Sequence, residues 1–155
     1  MPLYVPSPVT WRSASVSAAL TGTTSETTLA TVSIPAGAMG PNGILRIYSL
    51  WSNTTTANNK TCRIRLGGLS GTAFAAVANT SIATVEDFRL IKNLNSLSSQ
   101  VTAPAGKQYA GISGSAVTTG AVDTSLAQDL VFTGQLANSA DSLTLQMYLV
   151  ELLPG

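Results

Sequence analysis

Apolar and polar residues alternate with a period of two along most of the chain, the spacing that places successive side chains on opposite faces of a strand. In TTLATVSI (27–34), Ala30, Val32 and Ile34 fall on one face. That run ends in PAG, and GPNG (40–43) supplies a second turn signal. ILRIYSLWS (44–52) is apolar on both faces, as expected of a strand in the middle of a packed layer. An uncharged polar stretch, Asn53 to Asn59, then leads into KTCRIRLGG (60–68). There Cys62, Ile64 and Leu66 share one side, and Thr61, Arg63 and Arg65 the other. Further strands are predicted in TAFAAV (72–77), DFRLIKN (87–93), QYAGISGSA (108–116) and DLVFTGQL (129–136). In the last, SLTLQMYLVEL (142–152), Leu143, Leu145, Met147 and Leu149 are expected on one face, with Ser142, Thr144, Gln146 and Tyr148 on the other. A weaker run covers 13–20, and no stretch sustains a helical period.

Eight or nine short strands separated by turns predict an all-β fold: an antiparallel two-sheet sandwich, jelly-roll-like. A single domain is expected over 13–155. Residues 1–12 carry three of the seven prolines and read as an extended arm outside any central strand.

Composition narrows the function. The chain has 155 residues, 45% of them apolar and only 10% charged, with a net charge of +1. Ser and Thr make up about a quarter of it. Nucleic-acid binding needs clustered Lys and Arg, and the few here are scattered, so neither nucleic acid nor membrane insertion is expected. No apolar run reaches the length of a spanning helix. The first residues lack a basic segment followed by an apolar one, so no secretory leader is expected. The sequons at Asn53, Asn59 and Asn79 are read as chance products of a Ser/Thr-rich chain.

Histidine is absent, which removes Ser-His-Asp and Cys-His activation and most catalytic zinc sites. Cys62, the one cysteine, lies on an apolar strand face and reads as a buried, inert thiol. Among the seven acids only Glu86 and Asp87 are close in sequence, and neighbours on a strand point apart. The clusters GGLSG (67–71) and AGISGSA (110–116) lack a P-loop lysine and a following helix. No enzyme activity, cofactor or metal is therefore expected. Arg63 and Arg65 make a possible patch for acidic groups, although cross-strand pairing to a carboxylate is the favoured reading. Tyr4 and Trp11 lie in the arm and must pack on their own domain or on a neighbour. Only three lysines are present, too few to blunt many sheet edges, so other subunits are expected to cover some of them. The expectation is a homo-oligomer, trimer or dimer.

Three stretches resemble a family of small jelly-roll virion structural proteins of tailed bacteriophages. They are TGTTSETTLATVSIPAGAMGPNGILRI (21–47), LWSNTTTANNKTCRIRLGG (50–68) and VDTSLAQDLVFTGQLANSADSLTLQMYLVEL (122–152). The resemblance implies a capsid decoration (cement) protein that stabilises the head by binding across capsomers, with the major capsid protein or other virion proteins as partners. The alternative is a tail or head-fibre module that binds a host surface glycan or protein. Either way the protein would be made in the host cytoplasm and reside in the virion. Trp51 would then anchor the Asn/Thr-tipped hairpin in the core. Tyr4, Trp11, Arg63 and Arg65 would be the interface residues.

Overall fold

The computed structural model describes residues 17–105 and 116–155, together with the backbone of 9–13. Among the described residues there are eleven strands and no helix. They are β1 (Val9–Ser13), β2 (Ala18–Leu20), β3 (Thr27–Ile34), β4 (Ile44–Asn53), β5 (Lys60–Leu66), β6 (Thr72–Asn79), β7 (Thr84–Asn93), β8 (Gln100–Thr102), β9 (Thr118–Gly120), β10 (Gln128–Leu136) and β11 (Leu143–Leu153). The larger sheet runs β1-β11-β4-β7-β8-β9, with β2 also paired to β11. The smaller runs β3-β10-β5-β6. All pairings are antiparallel.

The connectivity is that of a jelly roll. β5 pairs β6, β4 pairs β7, β3 pairs β10, and β1 and β2 pair β11. Drawn flat, these pairs make one long two-armed ribbon bent at 67–71. Rolling the ribbon lays β11 beside β4 and β10 beside β5, which closes two sheets over one core. The bend needs left-handed backbone at Gly67 (φ 94°) and Gly68 (φ 76°), and both N–H groups donate to the Asp129 carbonyl. β8 and β9 are short additions in the β7–β10 connection.

Alternation fills the interior. Leu45, Ile47 and Trp51 of β4 face Cys62, Ile64 and Leu66 of β5 and Leu130, Phe132 and Leu136 of β10. Trp51 and Phe132 approach at 6.4 Å between ring centroids, and Phe132 stacks on Tyr148 at 4.7 Å. The buried indole N–H donates to Ser49 Oγ at 2.9 Å.

Three features differ from the sequence reading. First, β1, β8 and β9 have no counterpart among the expected strands, β8 and β9 because three residues each are too short to show a period. Secondly, β11 changes phase. Its pairing to β4 slips between Leu145 and Met147, so Gln146 is an extra residue, as in a β-bulge. Leu143 and Leu145 point inward as expected, but beyond the bulge Tyr148, Val150 and Leu152 take the inner positions and Met147 and Leu149 turn outward. Thirdly, Val9–Ser13, most of it within the expected arm, forms β1 on the edge of the larger sheet, with Trp11 in register with Val150. An edge strand pairs on one side only and so tolerates a proline-rich approach. Tyr4 and residues 108–115 of the QYAGISGSA stretch lie outside the described residues.

Candidate functional site: the two outer sheet faces

The interior charges hold the fold together. Strand β7 turns Asp87 and Arg89 inward, and both are buried. Arg89 donates to both Asp87 carboxylate oxygens, and also to the carbonyls of Pro104 and Ala105, each at 2.8 Å. The Ala105 carbonyl in turn accepts the Ala76 N–H of edge strand β6, so Arg89 straps the 103–105 loop across that edge. Lys60 is buried at the start of β5. Its ammonium donates to the carbonyls of Thr56, Asn58 and Thr80 and to the Thr56 hydroxyl, at 2.7–3.1 Å. It thereby shapes the Asn/Thr tip. The Thr56 hydroxyl, 2.7 Å from Asp141, holds that carboxyl below its ordinary range against the effect of burial, and the Lys60 charge adds to this. At the opposite end the Gln100 amide donates to Asn93 Oδ1 and Val122 O and accepts from Val122 N, in place of a strand partner.

The outer face of the smaller sheet is polar. Arg63 and Arg65 project from it beside Glu26, which precedes β3. Arg65 grips Glu26 with two hydrogen bonds, 2.7 and 2.9 Å, and Thr133 donates a third at 2.5 Å. Arg63 Nη1 lies 3.4 Å from the second carboxylate oxygen. Burial alone would raise the Glu26 carboxyl. The bonds from Arg65 and Thr133 and the charges of both arginines outweigh it and leave the group below its ordinary range. The favoured expectation of pairing to a carboxylate is therefore what the arginines do. The cluster keeps one net positive charge. Next to it lies a groove of about 230 Å³ lined by Asn59, Thr61, Arg63, Gln135, Leu136 and Ala137.

The outer face of the larger sheet is apolar. The register sets Leu149, Tyr48 and Phe88 side by side across β11, β4 and β7. The adjoining rows are Met147, Leu50 and Glu86 on one side, and Glu151, Arg46 and Leu90 on the other; beyond these lie Leu153, Ile44 and Lys92. Phe88 is 38% exposed and Leu90 45%. Much of the charge here is already paired: Arg46 bonds Glu151, and the Tyr48 hydroxyl donates to Glu86 at 2.5 Å. No strand of the described residues packs over this face. Strand β7 is thus inverted at its centre, with an ion pair inside and two large apolar side chains outside.

Two of the four residues expected at an interface stand side by side on one described face. Arg63 and Arg65 are together on the smaller sheet. Trp11 belongs to the edge strand of the larger one, and Tyr4 is outside the described residues. Phe88 and Leu90 had no signal of their own, because Val85, Asp87, Arg89 and Ile91 alternate as well as Glu86, Phe88, Leu90 and Lys92 do. The register against β4 decides which set faces inward. Glu86 and Asp87 point to opposite faces as expected. Cys62 is buried, and that burial, with the Asp87 charge, pushes its thiol up to about 12. Among the described residues no three His, Cys, Asp or Glu side chains gather as metal ligands, and no helix is long and apolar enough to cross a membrane.

No protein-family model matches the sequence. No curated protein matches it either. Among solved structures, the chain is similar to that of infectious bursal disease virus Gx strain at 12% identity and a TM-score of 0.33, covering 97% of this chain and 42% of the viral one. It is similar to the CBM2 module of the evolved Dit of Lactobacillus casei BL23 phage J-1 at 13% identity and a TM-score of 0.37, covering 78% and 67%. The VP2 subviral particle of infectious bursal disease virus matches at 12% identity and a TM-score of 0.36, covering 96% and 42%. The chain therefore spans about two fifths of the bursal disease virus chains it matches.

Proposed function

We propose that this protein is a virion structural protein of a tailed phage, and specifically a capsid decoration protein that stabilises the head by binding across capsomers. The observation that carries this reading is where the chemistry lies. Arg89 and Lys60 are spent inside, fastening loops, while the chemistry left open is spread over two broad sheet faces. Such a molecule acts through extended contact. The sequence resemblance supports the phage head as the setting. The polar face bearing Arg63, Arg65 and Glu26 suits a wet, charged shell surface, and the unbalanced positive charge there favours acidic groups.

The test is to add purified protein to heads that lack it and image the product. Saturable density at capsomer junctions, with heads that resist heating better, is the expected result. Density confined to the tail or a fibre, or no binding, would overturn it. The second reading, a tail or head-fibre module for a host glycan or protein, is favoured by the groove beside Arg63, whose Asn59, Thr61 and Gln135 offer the hydrogen-bonding groups that recognise sugar hydroxyls. Retention on a host surface polysaccharide, lost in Arg63→Ala, would select it.

A further inference from the structure

We infer that the apolar outer face of the larger sheet is a self-association surface, on which a second copy of this chain stacks face to face about a two-fold axis perpendicular to the strands. The inference rests on this face alone and holds whether the virion reading stands or falls.

The face is built for protein contact. Phe88 and Leu90 stand out from β7 beside Tyr48, Leu50 and Leu149, and no strand of the described residues covers them. Burying such rings and aliphatic chains is the main source of association free energy. The Arg46–Glu151 pair, which lies in the row of Leu90 next to the axis, is already closed and can be covered without leaving a lone charge.

The occupant follows from the charge pattern. Along the outer side of β7 the order is Glu86, Phe88, Leu90, Lys92, an acid and a base flanking two apolar residues at equal spacing. Reversed about the midpoint between Phe88 and Leu90, the order maps onto itself with acid and base exchanged. Two copies stacked antiparallel therefore set Glu86 of each against Lys92 of the other, and Phe88 of each against Leu90 of the other. That self-complementarity is what an isologous two-fold interface requires. Among the described residues no acid pairs with Lys92, and Glu86, which accepts the Tyr48 hydroxyl, is exposed. On β4 the same axis lays Arg46 over the ring of Tyr48.

The size of the face sets the strength. Three strands about 4.8 Å apart and about 34 Å long cover about 500 Å² per copy, or about 1,000 Å² in all. That is the lower limit for a specific interface, so the dimer should dissociate in the micromolar range.

Sedimentation equilibrium over low to high micromolar concentrations tests this. The expected result is a reversible monomer–dimer equilibrium. Phe88→Asp and Lys92→Glu alter outward side chains; each should leave the thermal melt of the monomer close to wild type and weaken the dimer at least tenfold. Combining Lys92→Glu with Glu86→Lys exchanges the charges and should recover most of the loss. A monomer at all concentrations, a trimer, a dimer indifferent to Phe88→Asp, or a charge exchange that recovers nothing would each overturn the proposal.

Discussion

The guanidinium of Arg89 meets both carboxylate oxygens of Asp87, 3.0 and 3.1 Å away and two residues earlier on the same strand, inside the sandwich. Residues two apart on a strand share a face, so the pair needs no second element to form. Removing one partner leaves a buried charge without its counterion.

Asp87→Ala should therefore destabilise the domain by about 3–5 kcal/mol. It should also loosen the 103–105 loop, which Arg89 holds by the Pro104 and Ala105 carbonyls. Urea unfolding reads the first effect. Faster hydrogen exchange at the Ala76 amide, which donates to Ala105, reads the second.

Gly120 lies against the ring of Phe74, and a β-carbon there would overlap its ζ-carbon. Because β9 is short and pressed onto that ring, Gly120→Ala should cost about 1–3 kcal/mol through overpacking. Phe74→Leu on the Gly120→Ala background should recover part of the loss, in contrast with its effect alone. Thermal melts of the two single variants and the double variant complete the cycle.

The carboxyl of Glu26 is held below its ordinary value in the folded chain, so its contribution to stability is complete above the unfolded glutamate range, about 4.3. It is lost as the pH falls through the lower folded value. Glu26→Gln should accordingly be less stable than wild type at pH 7, and the gap in melting temperature should narrow steadily below about pH 4.3.

The Cys62 thiol, pushed up to about 12 and buried, should be inert to a disulfide reagent at pH 8 in the folded protein. Its labelling rate should follow the rate of unfolding and reach that of an ordinary thiol in denaturant. Rapid labelling without denaturant would show that the β5 face opens locally.

Much of this architecture could be read from alternation. β3 runs over 27–34 as expected, and β4, β5 and β10 match their predicted runs to within about two residues. Cys62, Ile64 and Leu66 face inward and the arginines outward. The features that escaped depend on partners distant in sequence. The bulge at Gln146 reverses the faces of β11 because β4 dictates the register, and nothing in LTLQMYLV marks it. Lys60 looks like a solvated lysine beside a polar tip, yet carbonyls from two loops enclose it. Asp87 and Arg89 look like outward charges, yet they pair with each other inside and Arg89 also bonds the distant Pro104 and Ala105 carbonyls. Of the site residues, the pairing of the arginines to a carboxylate was legible, but Glu26 as the acid was not, since it lies outside any strand.

The nested ribbon has a kinetic consequence. Leu20 pairs with Leu143, and Ile47 with Val150, so the larger sheet closes only when residues from opposite ends of the sequence meet. Until β11 arrives, β4 has β7 as its single neighbour and the core beside Trp51 and Phe132 lacks Tyr148 and Val150. Closure entropy must be spent before these contacts form, which places refolding in the slow, millisecond-to-second class of non-local β topologies. During that interval β4, apolar on both faces, is an open template for other chains. Refolding yield should fall with protein concentration well before equilibrium stability does.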